Sequence, residues 1–300
     1  MKRTLSLLTL LCVIFNYTIS VSASNTISVA ENNAGISIQM DATDKMQFAQ
    51  NMISVYENDK ENNNILEPSI EKINELLLQI PLVDEEEKET INAELAQYGV
   101  YEYINSYETE TASTYAVSPD AGDVTLAIPT IYYQAWEDSW TITCGGSWNN
   151  YSWYTGTLGD IGGADAFGVF FTNTGGTYQS SVIRSSGYLS DSSSETHNPA
   201  TNFVDGIGSN GFGFRLQDYA YSTAIPFVYE YVGCQWSGIC TYDARFSYYN
   251  GIATAYYIHT YNDSSISNIT LNSTGLNYTP TGSDYFHSYS AQKTFGVYNW

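Results

Sequence analysis

The sequence predicts an all-β main domain, a jelly-roll-like antiparallel β-sandwich, preceded by a small α-helical N-terminal region. Three observations carry this expectation. Apolar residues recur at three- and four-residue spacing through the first third of the chain and at two-residue spacing after Val124. All six tryptophans lie in the second part. Glu and Lys dominate the first part, whereas Ser, Thr, Asn, Gly and Tyr dominate the second.

At the N-terminus, Lys2 and Arg3 precede an apolar run, TLSLLTLLCVIF (4–15), and Val21-Ser22-Ala23 offers small residues for cleavage. That is the layout of a secretory signal, and the run is too short to span a bilayer. Residues 1–23 are therefore expected to be a signal peptide and the remainder a secreted, extracellular chain. No other long apolar segment predicts a membrane span.

Residues 24–106 read as an acidic helical region that could serve as a pro-segment. Met46, Ala49, Ile53 and Tyr56 make one apolar stripe, and Leu66, Ile70, Ile73, Leu77 and Ile80 make another. Pro81 ends the second segment. Asp84 and Glu87 have capping-box spacing for a third, which Gly99 closes. Residues 107–123 have the composition of an exposed linker.

From Val124 to Trp300 the alternation is that of strands. In WEDSWTITC (136–144), Trp140, Ile142 and Cys144 share one face, with Thr141 and Thr143 on the other. GFGFRLQDY (211–219), IATAYYIHTY (252–261) and SISNITLN (265–272) alternate in the same way, and DAFGVFFTNT (165–174) reads as a buried strand. Residues 227–232, 242–249 and 294–300 complete the set. Roughly ten short strands with polar turns make a sandwich or jelly roll.

With the leader removed, the chain keeps Cys144, Cys234 and Cys240. Their spacing is neither a zinc site nor a C-x-x-C redox motif. Reading FVYEYVGC and ICTYDARFSYY as two arms of a hairpin with QWSG near its tip, and an exported chain as oxidised, predicts a Cys234–Cys240 disulfide that presents Trp236. A Cys144 link to either remains open; as a free thiol, Cys144 reads as a small core residue.

The formal net charge is −22, from 10 basic and 32 acidic residues. Such a field repels phosphate backbones and anionic lipid, so nucleic acid is not an expected partner. No cofactor is implied, although an acidic chain leaves calcium open, with Asp160 and Asp165 of GDIGGADAFG as candidate ligands outside EF-hand spacing. GIGSNG (206–211) matches a dinucleotide fingerprint but precedes a strand rather than a helix, which excludes that reading.

No paired catalytic motif stands out. Glu230 lies mid-strand among aromatics and is the candidate acid of a glycan hydrolase, with Asp205, Asp218, Asp243 or Asp263 as partner. His259 shares a strand face with Tyr257 and Tyr261 and is the other catalytic candidate, with a hydrogen-bonded structural role as its plainer reading. The strongest chemical feature is aromatic density: in SWNNYSWYTG (147–156), aromatics interleave with amides and hydroxyls. Trp148, Tyr151, Trp153, Tyr154 and Trp236 are the predicted binding residues for a carbohydrate or a cell-surface protein. The sequence thus describes a secreted binding protein first, an extracellular glycan hydrolase using Glu230 second, and a toxin or bacteriocin-like effector with a helical pro-segment third.

Overall fold

The fold was analysed in a computed structural model, which describes residues 43–104, 108–109, 123–149, 158–172, 180–192, 196–199, 210–222, 229–272, 275–283 and 285–296. The signal-peptide and most of the linker expectations lie outside these residues.

Among the described residues, three helices come first. Helix α1 (Thr43–Glu61) buries Ala49 and Tyr56 of its predicted stripe. Helix α2 (Ile70–Gln79) starts at Ser69, whose side chain accepts from the Lys72 N–H, and buries Ile73, Leu76, Leu77 and Leu78. Leu66 and Ile70, expected on that stripe, are exposed because the helix begins only at Ile70. A 3-10 turn over Ile80–Leu82 carries Pro81. Helix α3 (Glu85–Ala96) opens on Asp84, whose carboxylate accepts from Glu87 N at 3.0 Å, with Glu85, Glu86 and Glu87 stacked on the positive helix end. Gly99 follows at φ +72, where a Cβ would stand 2.5 Å from the Tyr56 ring. The chain then extends as strand β1 (Val100–Glu102), within the stretch expected to be helical.

The strands build two large sheets. One has the order β1, β4 (Thr130–Gln134), β5 (Ser139–Trp148), β13 (Gln235–Asp243), β8 (Val182–Ser190), β9 (Thr196–Pro199), with β3 (Val124–Leu126) also on β5. The other has the order β10 (Gly211–Leu216), β7 (Asp165–Thr172), β14 (Gly251–Thr260), β17 (Tyr285–Gly296), β2 (Glu108–Thr109). Every pairing is antiparallel. Trp140, Ile142, Cys144, Trp236, Cys240 and Tyr242 of the first sheet meet Phe167, Val169, Phe171, Phe212, Phe214 and Tyr257 of the second in one aromatic core. This is the predicted sandwich.

Two further layers cover the outer faces. On the seven-stranded sheet, Ile73, Leu76, Leu77, Ile80, Ile91 and Leu95 pack over Tyr132 and Ile239. Hence Thr141 and Thr143, on the face opposite Trp140, are buried rather than wet. Their hydroxyl layer is satisfied internally: Thr141 and Thr241 Oγ1 lie 2.8 Å apart, and Ser237 Oγ donates to Leu78 O at 2.5 Å. On the five-stranded sheet, the hairpin β15 (Ile266–Asn272) and β16 (Gly275–Pro280) places Ile266, Ile269 and Leu271 over Ala166, Tyr256 and Ile258. Strand β1 and the helical cover make residues 43–104 part of the same compact unit as the sandwich.

Two local expectations are corrected. Residues 244–248 form a 3-10 turn, not a strand, because Asp243 accepts from Arg245 N and bends the chain inward at Phe246. Nor is there a hairpin around QWSG. Residues 235–243 are one unbroken strand, so Cys240 lies about 20 Å along the chain from Cys234. A disulfide needs Cα atoms about 5.5–6 Å apart. Cys144, Cys234 and Cys240 are all buried free thiols.

Candidate functional site

One end of the sandwich carries a small third sheet, β12 (Tyr229–Val232), β11 (Tyr219–Ser222) and β6 (Gly159–Asp160). Beneath it lies the most chemically charged part of the core. Strand β7 opens with Asp165, and antiparallel pairing with β14 sets Ala166 against Ile258. That register brings Asp165 to His259 and Thr260. Asp218 enters from the connection between β10 and β11. Asp165, Asp218 and His259 are 1%, 0% and 0% exposed.

Asp165 is densely bonded. Its Oδ1 accepts from Thr260 N at 2.8 Å, and its Oδ2 accepts from the Tyr257 hydroxyl at 3.0 Å and lies 2.9 Å from His259 Nδ1. Asp218 Oδ2 accepts from the Tyr231 hydroxyl at 2.6 Å and stands 3.9 Å from the same Nδ1. Burial, and then the Asp165 charge, pushes Asp218 well above the ordinary carboxylate range. Burial and the two aspartates likewise raise the Tyr231 and Tyr257 hydroxyls, which stay protonated and donate. Trp148 packs edge-on to His259 with ring centres 5.1 Å apart, and Trp236 stacks on Tyr257 at 3.9 Å. Asp165, Asp218 and His259 have ligand atoms within 4.8 Å of one another and, among the described residues, form the group that could hold a metal.

The predicted binding aromatics separate. Trp236 is 0% and Trp148 6% exposed, so neither presents a face to a partner; both wall the cluster. Gly146 explains the burial, since a Cβ there would stand 2.7 Å from the Trp236 ring. Tyr151, Trp153 and Tyr154 lie outside the described residues. Of the candidate calcium pair, Asp160 is exposed on β6 and Asp165 is inside, and they do not form one loop site. Glu230 is half-buried opposite Tyr221. Asp191, which sequence reasoning missed, accepts from the Tyr221 hydroxyl at 3.1 Å.

The cysteine surroundings disfavour the thiolate in the native state. Burial, with the charges of Asp191 and Glu230, pushes the Cys234 thiol up to about 12, and burial raises Cys144 and Cys240 as well. Folded protein at pH 8 should therefore leave all three thiols unmodified by iodoacetamide, and denatured protein should alkylate all three. Mass spectrometry of timed samples reads this directly. Rapid native labelling of any one would show it to be accessible.

A second place is open to solvent. The helical cover lies over β5 and β13 and meets β8 at Tyr188, and a groove of about 780 Å³ runs between α2 and β8. Glu71, Asn74, Glu75 and Gln79 line it from one face of α2, and Ser186 and Tyr188 from β8. Leu82 and Val83 supply apolar surface, and Glu87 joins it to the acidic first turn of α3. Asn74 Oδ1 is shielded from solvent, with no hydrogen-bond partner among the described residues. The sequence signal for this place was the polar face of α2 at i, i+3, i+4, i+8, set against its apolar one.

No protein-family model and no curated protein matches the chain. Among solved structures, one on pH-induced modulation of Streptococcus parasanguinis adhesion by Fap1 fimbriae aligns at 13% identity and a TM-score of 0.28, over 64% of this chain and 91% of that one. A pore-forming protein aligns at 8% identity and 0.26, over 63% and 94%. The membrane-inserted NetB toxin of Clostridium perfringens aligns at 8% and 0.25, over 65% and 100%. TM-scores this low carry no argument about fold or function.

Proposed function

We propose that the chain is an exported, non-enzymatic binding protein that holds a carbohydrate in the groove between α2 and β8. The observation that carries this reading is the groove lining. One tyrosine ring stands among carboxylate, amide and hydroxyl groups, over limited apolar surface. Sugars are recognised by that combination: a ring stacks on the apolar faces of C–H groups while carboxylates and amides bind paired hydroxyls. The volume falls in the range of small-ligand sites, about 300–1,000 Å³. Three glutamates at the groove disfavour anionic partners such as phosphates.

The carboxylates and imidazole with the richest chemistry support a binding role by their position. Asp165, Asp218 and His259 are closed off beneath β6, β11 and β12, where no polymer could reach them. Titration calorimetry of the full chain with neutral oligosaccharides tests the reading. Tyr188→Ala and Asn74→Ala should each weaken binding at least tenfold while keeping a cooperative melt; Tyr188 also packs against the helical layer, so its variant should melt somewhat lower. Equal affinity in both variants would refute the groove as the site. Binding of cationic peptides but of no sugar would refute carbohydrate as its occupant.

A further inference from the structure

We propose that Asp165, Asp218 and His259 form a structural site for one divalent transition-metal ion, of the zinc or manganese type, that ties the third sheet to the sandwich. Asp165 Oδ2 and Asp218 Oδ2 lie 2.9 and 3.9 Å from His259 Nδ1. Ligand atoms held about 2.0–2.2 Å from a common ion stand roughly 3–3.6 Å apart; these three all lie within 4.8 Å of one another, so a side-chain shift of about 1 Å centres an ion among them. The Tyr257 hydroxyl, 3.0 Å from Asp165 Oδ2 and 3.4 Å from Nδ1, adds an oxygen on the same side.

The charge count is an independent observation. Two acidic side chains are buried at 1% and 0% exposure, and among the described residues no lysine or arginine stands within ion-pair distance of either, only the imidazole of His259. Without an ion, burial and the neighbouring Asp165 keep Asp218 from carrying its charge beside a second buried acid. A divalent ion would let both ionise as its ligands. The second shell is already built: Tyr231 donates to Asp218, and the Thr260 N–H donates to Asp165. One nitrogen and few oxygens suit a borderline transition ion better than calcium, which takes six to eight oxygens. The site joins β7, β14 and the β10–β11 connection, so binding would be coupled to folding.

The test uses the full chain, made without a metal-affinity tag and refolded from denaturant, where the ligands are accessible, with Zn²⁺, Mn²⁺, Ca²⁺ or EDTA. Plasma emission analysis after gel filtration should find about one equivalent of Zn²⁺ or Mn²⁺ per chain, and the melting temperature should exceed that of the EDTA sample by several degrees. Asp218→Asn, which keeps the size and the acceptor for Tyr231, and His259→Gln should retain less than a tenth of that metal. Circular dichroism checks that each variant is folded. Wild-type protein that refolds with no bound ion and melts identically with metal and with EDTA would overturn the proposal. So would metal retained in full by both variants, or calcium retained in preference to zinc and manganese.

Discussion

A chain that starts at Asp123 should fail to form the native sandwich. The truncation removes α2, α3 and β1, and with them Ile73, Leu76, Leu77, Ile80, Ile91 and Leu95, each 5% exposed or less. Each such side chain contributes about 1.5–3 kcal/mol when fully buried. Together they amount to about 9–18 kcal/mol, as large as the ~5–15 kcal/mol by which a typical domain is stable. The truncation also uncovers Tyr132 and Ile239, strips an edge strand from β4, and leaves the Ser237 hydroxyl without Leu78 O. The truncated protein should be insoluble, or soluble without a cooperative melt or near-ultraviolet dichroism. A truncated chain that melts as cooperatively as the full one, within a few degrees, would show that the helices are dispensable. A helical segment cut at residues 107–122 should stay bound to the sandwich through gel filtration. These outcomes separate a built-in layer from a detachable pro-segment.

The strands and helices were legible because burial imposes periodicity, and periodicity survives in sequence. The stripe on α1, the Asp84 cap of α3 and the alternation of β5, β10 and β14 all followed from it. What periodicity could not convey is how many layers cover a sheet. Thr141 and Thr143 alternate with Trp140 and Ile142 just as solvent-facing residues would, yet helices cover them. The same gap misplaced Trp148 and Trp236. Both lie near glycines that resemble turn punctuation. Gly145, Gly146 and Gly238 are instead strand residues whose missing side chains make room for Pro81, Trp236 and Phe214. The disulfide expectation failed on that same misread punctuation.

The buried cluster was legible only in fragments. Asp165 read as a calcium candidate, Asp218 as a partner for Glu230 and His259 as a lone imidazole on an aromatic face. Each attracted notice because a charged or titratable residue stood in an apolar setting. Nothing local links them, because their meeting depends on the pairing of β7 with β14 and on where the β10–β11 connection crosses beneath the third sheet. The groove was illegible for a related reason: it lies between α2 and β8, and how those two elements sit together is a property of packing rather than of any segment.

Replacing Trp236 by alanine distinguishes a core tryptophan from a binding one. Its ring is fully buried, stacked on Tyr257 at 3.9 Å and 11°, and seated over Gly146. Loss of a ring this large leaves a cavity between rigid strands that cannot close, at a cost of about 3–5 kcal/mol. For a domain of this size that is a drop of roughly 6–20 °C in melting temperature. Tyr257 would lose its stacking partner while its hydroxyl still donates to Asp165, so the damage should spread to the buried cluster and raise native-state thiol labelling of the neighbouring Cys234. Affinity in the α2–β8 groove should be retained at temperatures where the variant is folded, because that groove draws on the opposite face of the seven-stranded sheet. If the variant melts within about 2 °C of wild type while oligosaccharide binding is lost, Trp236 is a contact residue and the packing described here is wrong at that strand. If stability falls and binding persists, Trp236 serves the core rather than recognition, as expected of a groove lined by the polar face of α2 and Tyr188.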